Sequence, residues 1–217
     1  GNGDEGYHAV PLPGDAPPLG TIDGMSWARL ARGGALLGLV AVVAGGVGCG
    51  RGRTPRNVLL VTLDTLRADH LGSYGYKEAQ TPVLDGLAAK GARFASATTT
   101  TPLTLSAHTS LFTGTWPTTH GVRDNTGFYV PDTVQTLAET LKAQGYRTGG
   151  FVGAFVLDGR WGLSQGFDTY FDDFDLSEDT TSLEVIQRPG GEVVDQALQW
   201  LAVPAEEPFF AWVHMND

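Results

Sequence analysis

The sequence predicts an α/β domain built on a mainly parallel sheet that is flanked by helices. The first observation is a pair of almost wholly apolar runs, residues 57–63 and 209–215, because strands buried on both faces of a parallel sheet have this composition. The second is that amphipathic stretches with helical spacing lie between such runs, and strands that alternate with helices form parallel sheets. The composition, 41% hydrophobic and 18% charged, is ordinary for a globular protein.

The residues before the first strand predict a targeting segment. Residues 1–24 are rich in Gly, Pro and acidic side chains and lack periodicity, so we expect an unstructured segment, or one upstream of a translation start at Met25. Arg29 and Arg32 then precede an uncharged run that ends in small residues. This order predicts a signal peptide over residues 25–48. A buried core helix and a cytoplasmic extension are the alternatives, and neither accounts for that order.

The end of this segment predicts a lipid anchor. Gly46-Val47-Gly48-Cys49 resembles the lipobox of bacterial lipoproteins, with Gly46 in place of the usual Leu. Cys49 is the single cysteine of the chain, and residues 49–56 follow as a flexible tether. The preceding apolar run is interrupted by Gly and is shorter than the roughly 20 residues of a membrane-spanning helix. We therefore expect an exported protein that a lipid on Cys49 attaches to the membrane of the bacterial cell envelope.

The domain at residues 57–217 contains the predicted helices and strands. The helices are bracketed by capping residues or carry apolar residues three and four apart, and the strands are rich in β-branched and aromatic residues. In chain order, the sequence predicts a strand at Asn57–Leu63, a helix between Thr81 and Gly91, helices at Thr104–Thr113 and Asp132–Gly145, a strand at Arg147–Phe155, an acidic loop at Phe167–Ser182, a helix near Glu192–Leu201 and a strand at Phe209–Met215.

Charge and cysteine content exclude two classes of site. The formal net charge is -10 and the Lys and Arg residues are scattered, which argues against a nucleic-acid partner because phosphate backbones need a basic surface. A single cysteine allows no intrachain disulfide and no cluster of thiolates around zinc. Any catalytic metal must therefore be held by oxygen and imidazole ligands.

Asp64 is the first candidate for such a ligand, because it ends the first predicted strand. In open parallel sheets, ligands bind beyond the carboxyl ends of the strands. Position alone leaves a second interpretation open, in which the carboxylate simply caps the following turn.

A second segment contains a recognisable pattern. Residues Thr101–Val122 (TPLTLSAHTSLFTGTWPTTHGV) resemble the sulfatase signature, in which Cys or Ser, any residue, Pro, any residue and Arg precede a helix that ends in Leu-Thr-Gly, followed by His-Gly-Val. The end of the helix and the His-Gly-Val match. Thr104, Ser106 and His108 stand where the family has its nucleophile, Pro and Arg. The framework of the signature is present and its reactive positions are changed.

The chain thus resembles the amino-terminal part of a sulfatase of the alkaline phosphatase superfamily, and the resemblance implies an alkaline-phosphatase-like fold that is incomplete at its carboxyl end. It also implies that Asp64 and Thr104 bind a divalent cation, whose identity among calcium, zinc, manganese and magnesium it does not give. Many family members have a second acidic or amide ligand after the Asp, and Thr65 occupies that place. The family's other metal ligands lie on later strands, beyond the final segment Pro208–Asp217, so this chain alone is expected to be inactive.

Thr104 and His108 also have a physical interpretation. Thr104 lies where the predicted helix begins, so the helix dipole favours a bound oxyanion there. His108 is one turn along on the same face, within reach of the nucleophile or of the substrate oxygens. Without the resemblance, Thr104 is better explained as an ordinary N-cap and His108 as a surface residue. With it, we expect both to be catalytic.

Threonine at the nucleophile position predicts a particular chemistry. Formylglycine, which typical sulfatases make from Cys or Ser, is an aldehyde, and the secondary alcohol of Thr104 cannot be oxidised to one. We therefore expect no formylglycine and expect the hydroxyl to act as an alkoxide activated by the metal. Related phosphatases and phosphoglycerol transferases use Thr or Ser in this way, which favours phosphate esters, whereas the overall resemblance favours sulfate esters.

Another segment departs from the family. Where sulfatases have Gly-Lys-Trp-His, this chain has Gly153-Ala154-Phe155-Val156, so two cationic contacts to the substrate are missing. The candidates to replace them, each of which is equally well explained as structural, are Arg160, His120 and Arg123, with Asp124 and Asn125 as further candidates for the substrate pocket.

The predicted function is a metal-dependent hydrolase of sulfate or phosphate esters with a Thr nucleophile, acting on a sulfated or phosphorylated small molecule or glycan. One alternative is a phosphoryl-group transferase of the cell envelope. The other is a sulfatase-fold binding protein without catalytic activity, which the missing Arg, Lys and His favour.

Overall fold

The computed structural model describes residues 55–176 and 186–216. The strands in that part of the chain are β1 (Val58–Leu63), β2 (Arg147–Val152), β3 (Thr169–Phe171) and β4 (Phe209–Met215). The α-helices are α1 (Pro82–Lys90), α2 (Thr104–Thr113), α3 (Pro117–His120), α4 (Leu137–Ala143) and α5 (Gly190–Leu201). Short 3-10 turns lie at Ala68–His70, Gly72–Tyr74, Phe155–Leu157 and Gly159–Trp161.

The four strands form one parallel sheet in the order β1-β4-β2-β3. β4, the last strand in the chain, inserts between the first two, with Leu63 paired to Met215 on one side and Val152 to His214 on the other. All carboxyl ends therefore lie at the same edge of the sheet. The parallel α/β sheet predicted from the sequence is confirmed.

The two faces of the sheet are covered by different helices. Phe210 and Trp212 of β4 pack with Leu105 and Phe112 of α2, and the rings of Phe112 and Trp212 are 4.6 Å apart. Val213 points to the opposite face, because side chains alternate along a strand, and packs with α5. We refer to these as the α2 face and the α5 face.

β1 is an edge strand within the described part of the chain. Leu59 and Val61 share the α5 face with Ala211 and Val213, to which they are paired, but they are 55% and 45% exposed. Helix α5 contacts β2 and β4 and leaves these two side chains uncovered.

Most predicted elements are confirmed within two residues, including α2 at the bounds that the sequence gives. Helix α1 has Pro82 in its first turn and Gly91 after its end, as expected. The predicted cap at Thr81 is different, because its hydroxyl accepts from the amide of Gly72 and donates to Asp85 instead of capping the helix.

The helix predicted at Asp132–Gly145 is wrong at its start, because α4 begins only at Leu137. Thr136 and Glu139 form a capping box, in which each side chain accepts from the backbone amide of the other residue. The residues before it form a turn in which the amide of Val134 donates to the carbonyl of Pro131. The capping box therefore sets the start of α4, although the apolar spacing predicted a helix that begins five residues earlier.

Two further corrections concern β2 and β3. The strand predicted to run to Phe155 ends at Val152, because the chain turns away there and Ala154 forms an isolated antiparallel bridge with Gln187. The stretch predicted as an acidic loop contains β3, whose Tyr170 pairs with Gly150 of β2. Three residues among acidic neighbours give too weak a pattern for sequence reasoning to identify a strand.

The predicted signal peptide at residues 25–48, the acylated Cys49 and the segment 1–24 lie outside the described residues. Within the described ranges, no helix combines the length and the apolar character that crossing a membrane requires.

Candidate active site

The candidate site lies where β1 and β4 end side by side. Asp64 directly follows β1, and its amide donates to the carbonyl of Met215 on β4 at 2.9 Å. Thr65 comes next with a φ of 57°, a left-handed conformation that is unusual for a β-branched residue. The amide of Thr65 donates to Oδ1 of Asp64 at 2.8 Å. This turn fixes one oxygen of the carboxylate and leaves the other for partners from elsewhere in the chain.

Thr104 is one of those partners. Its Oγ1 donates to Oδ2 of Asp64 at 3.0 Å, across 40 residues of sequence. Leu103, not Thr104, is the N-cap of α2, so the interpretation of Thr104 as an ordinary N-cap is wrong. The structure thus brings the predicted nucleophile and the predicted metal ligand into contact at the start of a ten-residue helix.

Asn125 supplies the missing cap. Its Oδ1 accepts a hydrogen bond of 2.9 Å from the amide of Leu105, the second residue of α2. A side chain 20 positions away therefore caps the helix and frees the Thr104 hydroxyl for Asp64. Asp124 is exposed, and its carboxylate accepts from the amide of Asn125 at 2.7 Å. Of the two residues proposed for the substrate pocket, Asp124 and Asn125, it is thus Asn125 that lies beside the nucleophile.

The surroundings of Asp64 favour its ionised form. The nearby His214 ring lowers its pKa most, and the hydrogen bonds from Thr104 and from the amide of Thr65 lower it further against the opposing effect of burial. The pKa is lowered to about 2. Asp64 is therefore a carboxylate at neutral pH, as a cation ligand must be, and is too weak a base to take the proton of a hydroxyl group.

His214 is the site residue that the sequence analysis missed. It lies on β4 in the α2 face, its side chain is 0% exposed, and its Nε2 is 3.4 Å from Oδ2 of Asp64. The signal that could have identified it is a polar residue in an otherwise apolar strand, near the carboxyl end where ligands collect. This signal identifies a site residue only in combination with the strand order, which places β4 next to β1.

His108 is buried, so the interpretation of it as a surface residue is wrong. Its Nδ1 lies 2.8 Å from the carbonyl oxygen of Thr104, and because a carbonyl can only accept, Nδ1 carries the proton and Nε2 a lone pair. Burial lowers its pKa to about 4, with the nearby His214 acting in the same direction. At neutral pH, His108 is thus an uncharged ring held against the backbone of the nucleophile. It does not supply the charge of the Arg that it replaces.

Arg160 and His120 do not supply that charge in the described structure. Arg160 donates from Nε to Asp158 at 2.8 Å and its guanidinium lies 4.7 Å from the ring centre of Phe155. His120 is buried, which lowers its pKa and favours the neutral ring. Its Nδ1 accepts from the amide of Val122, so its Nε2 carries the proton and donates to Ser110.

The donor atoms around Asp64 fit part of a cation site. A carboxylate oxygen and a hydroxyl oxygen 3.0 Å apart are ligands that hard divalent cations accept. The described residues contain no group of three or more His, Cys, Asp or Glu side chains placed to hold a metal. Asp64 also lines a cavity of about 360 Å³ together with Arg67 and His70, which gives the carboxylate access from outside.

Comparisons with known proteins identify a family. A family model described as sulfatase matches residues 56–217. The ulvan-active sulfatase of Formosa agariphila is 32% identical over 147 residues, which are 64% of this chain and 28% of that protein. Bovine (Bos taurus) arylsulfatase A is 36% identical over 118 residues, 52% of this chain and 22% of that protein.

Solved structures show the same fold. The phosphonate monoester hydrolase of Agrobacterium radiobacter aligns with a TM-score of 0.60 and 21% identity over 75% of this chain and 41% of that chain. A structure solved with its substrate D-glucosamine-2-N,6-O-disulfate aligns with a TM-score of 0.62 and 20% identity, over 75% of this chain and 34% of that one. The chain spans less than a third of the length of the curated relatives it matches.

Proposed function

Because the chain belongs to the sulfatase family, we propose that it is the nucleophile-bearing part of a metal-dependent hydrolase of sulfate or phosphate esters. The observation that carries the proposal is the hydrogen bond of 3.0 Å between Thr104 Oγ1 and Asp64 Oδ2 at the start of α2. It joins a potential nucleophile, an ionised carboxylate and the positive end of a helix dipole in one place. In this proposal Asp64 and Thr104 hold the cation, with further ligands from outside the described residues.

The residues of the site have distinct roles in this proposal. Asp64 directs the hydroxyl proton of Thr104 toward itself, so that the oxygen lone pairs of Thr104 point away from the carboxylate. A divalent cation, when bound, lowers the pKa of a coordinated hydroxyl and neutralises charge on the ester. His108 holds the carbonyl of Thr104, and Asn125 accepts from the amide of Leu105, so the peptide bond that follows the nucleophile is held at both its oxygen and its nitrogen before substrate arrives.

The type of ester follows from the nucleophile. Attack by Thr104 forms a bond from its oxygen to sulfur or phosphorus and breaks the bond to the leaving alcohol, and the hydroxyl proton of Thr104 is transferred, in the net reaction, to the leaving oxygen. Water can then attack phosphorus and release phosphate, whereas the escape route through a hemiacetal that formylglycine offers to a sulfate is closed to threonine. We therefore propose that phosphate or phosphonate esters are hydrolysed at least as well as sulfate esters. The fold that the chain shares with a phosphonate monoester hydrolase is consistent with this.

The substrate is proposed to be a sulfated or phosphorylated small molecule or glycan. One protein of the same fold was solved with a disulfated glucosamine as its substrate, which supports the glycan part of the proposal. The location is proposed to be the bacterial cell envelope, with the lipid on Cys49 as the anchor. Cys49→Ser should release the protein from membranes, and a variant that stays in the membrane fraction would contradict the anchor.

One observation favours a different function. His108 is neutral and Arg160 is paired with Asp158, so neither of these two residues replaces the cations that sulfatases use to bind the substrate. A phosphoryl-group transferase of the envelope, or a binding protein that has kept the fold without the reaction, would have less need of them. Both alternatives are distinguished from the hydrolase by turnover.

The test uses the complete reading frame of the gene with an aryl sulfate, a phosphate monoester and a phosphate diester. We expect turnover of at least one phosphate ester that depends on added divalent cation and is abolished in Thr104→Ala. Thr113→Val, at the far end of the same helix, is the matched control and should retain activity. Equal turnover by Thr104→Ala and wild type would refute the nucleophile, and turnover of none of the three esters would favour the binding protein.

A further inference from the structure

His214 presents a problem that the proposed function does not explain. Its ring is completely buried, and within the described residues neither of its nitrogen atoms has a hydrogen-bond partner at ordinary distance. A buried polar group without a partner destabilises the folded state, so such groups are rare unless they serve a purpose. An apolar residue at this position of β4 would avoid the cost, as Phe210 and Trp212 do on the same face.

The nearest polar group points to that purpose. Nε2 of His214 is 3.4 Å from Oδ2 of Asp64, just beyond the range of a good hydrogen bond. Two aromatic rings also lie near the ring of His214, with ring centres 4.9 Å away in His108 and 6.2 Å away in Trp212. A small movement of either side chain would bring a proton on Nε2 into contact with the carboxylate.

The sheet explains why His214 can perform this role. Parallel pairing sets Thr62 opposite His214, so Asp64 lies just beyond that pair at the end of the neighbouring strand. The other two partners of Asp64 are weaker anchors, because Thr65 belongs to the same turn and Thr104 is the group that reacts. His214 is the partner that the core of the sheet holds rigidly.

We propose that His214 is a positioning residue, whose Nε2-H donates to Oδ2 of Asp64 and holds the carboxylate in the orientation that binds the cation and directs the Thr104 hydroxyl. This inference rests on the proposed function. Carboxylates that ligate metals are themselves held by hydrogen bonds from outside the metal's own ligands. Removing such a partner typically weakens metal binding by about 10- to 100-fold.

The first test examines the hydrogen bond in the metal-free protein by NMR with ¹⁵N-labelled histidine. We expect His214 to carry its proton on Nε2, and we expect the Nε2-H resonance to shift in Asp64→Ala. Asp69→Ala, which removes an exposed carboxylate that is paired with Arg67, is the matched control and should leave the resonance in place. A proton on Nδ1, or a resonance that is indifferent to Asp64→Ala, would overturn the proposal.

The second test measures the affinity for Mn²⁺ alone in the complete reading frame. The amide nitrogen of Gln can take the place of Nε2, that of Asn takes the place of Nδ1, and Leu offers no donor. We expect His214→Leu and His214→Asn to bind Mn²⁺ about 10- to 100-fold more weakly, and His214→Gln to recover most of the loss. Val213→Ala, on the opposite face of β4, should lower thermal stability without changing the affinity.

The outcomes separate this inference from the proposed function. If all three variants bind Mn²⁺ like wild type, or if Gln is as weak as Leu, the donor role of His214 is wrong while the Thr104 nucleophile stands on its own test. If Thr104→Ala retains full turnover but the Leu and Gln variants behave as expected, the Thr104 nucleophile fails and the positioning of Asp64 survives. Absence of Mn²⁺ binding by wild type overturns the positioning role.

Discussion

The two faces of the sheet are packed alike but differ in what they bury. Phe112 and Trp212 pack in the core on the α2 face, and Phe151 and Val193 pack in the core on the α5 face. The buried positions of α5 are Gly190, Val193 and Ala197. Those of α2 are Leu105, Ser106, His108, Thr109, Ser110 and Phe112. Packing requires only apolar residues, so the buried polar groups mark the α2 face as the one that carries function.

Those polar groups are organised rather than merely tolerated. Ser106 donates to the carbonyl of Val122 at 2.7 Å, and Thr109 to the carbonyl of Leu105 at 2.7 Å. Ser106 therefore ties the helix to the chain near Asn125, which caps it. Satisfied networks of this kind hold one arrangement of the core in place. The α2 face uses its polar residues to fix the start of the helix, where the nucleophile lies.

The largest expected effect comes from removing the negative charge of Asp64, which contacts the start of α2. Asp64→Asn should reduce turnover by about 1,000-fold, because several kcal/mol of charge stabilisation depends on the cation ligand. Asp168→Asn is the control, since that carboxylate accepts from both the amide and the hydroxyl of Thr148 and has a structural role. Steady-state kinetics at saturating cation would measure both. If Asp64→Asn and Asp168→Asn reduce turnover to a similar extent, the specific role of Asp64 as a cation ligand is wrong.

The next effect tests whether the faces contribute equally to stability. Phe210 on the α2 face and Phe151 on the α5 face are both buried, at 0% and 2% exposure. Each Phe→Ala substitution should lower the free energy of unfolding by about 3 to 5 kcal/mol, measured by urea unfolding. Phe94→Ala, at an exposed position, should change it by less than about 0.5 kcal/mol. If only one of the two Phe→Ala variants loses a large amount of unfolding free energy, the two faces do not contribute equally to stability.

A smaller effect is expected from Ser106→Ala. This substitution leaves the buried carbonyl of Val122 without its donor, which should cost about 1 to 3 kcal/mol of unfolding free energy. Gln199→Ala, on the exposed side of α5, is the control and should lie within about 0.5 kcal/mol of wild type. If the two variants are indistinguishable, the polar network of the α2 face contributes nothing to holding the helix.

The smallest effect is a dependence of stability on pH that the α5 face does not share. Burial lowers the pKa of His120 below that of the unfolded chain, so the folded protein prefers the neutral ring. The resulting stability is complete above the ordinary histidine pKa of about 6.5 and is lost as the pH falls through that range toward the lower folded pKa. His120→Gln should make this part of the curve of unfolding free energy against pH less steep, and the part that remains comes from His108, whose pKa burial also lowers. The exposed variant His70→Gln should follow wild type.

Much of the fold could be predicted from the sequence because its signals are local. The apolar runs of β1 and β4 and the brackets of α1 and α2 each depend on neighbours in sequence. The start of α4 at Leu137 and the short β3 could not be predicted, because one is set by a capping box that competes with the apolar spacing and the other by pairing with β2.

The site divides in the same way. Asp64 and Thr104 could be selected because each stands at the end or start of a predicted element and also lies in a segment that resembles the sulfatase family. The role of His214 depends on which strands are neighbours, and the capping role of Asn125 depends on which loop approaches α2. Local sequence patterns do not predict the order of strands in a sheet. The exclusion of Arg160 likewise required its contact with Asp158, which only the folded chain reveals.

The open side of β1 has a practical consequence for anyone who prepares this part of the protein. Leu59 and Val61 present apolar surface beside one edge of β1 that no other strand of residues 55–176 and 186–216 pairs with, and such edges are templates for adding strands from other molecules. A preparation of residues 57–217 should therefore self-associate as its concentration rises. Charged substitutions at Leu59 and Val61 should improve its solubility without touching Asp64 or Thr104.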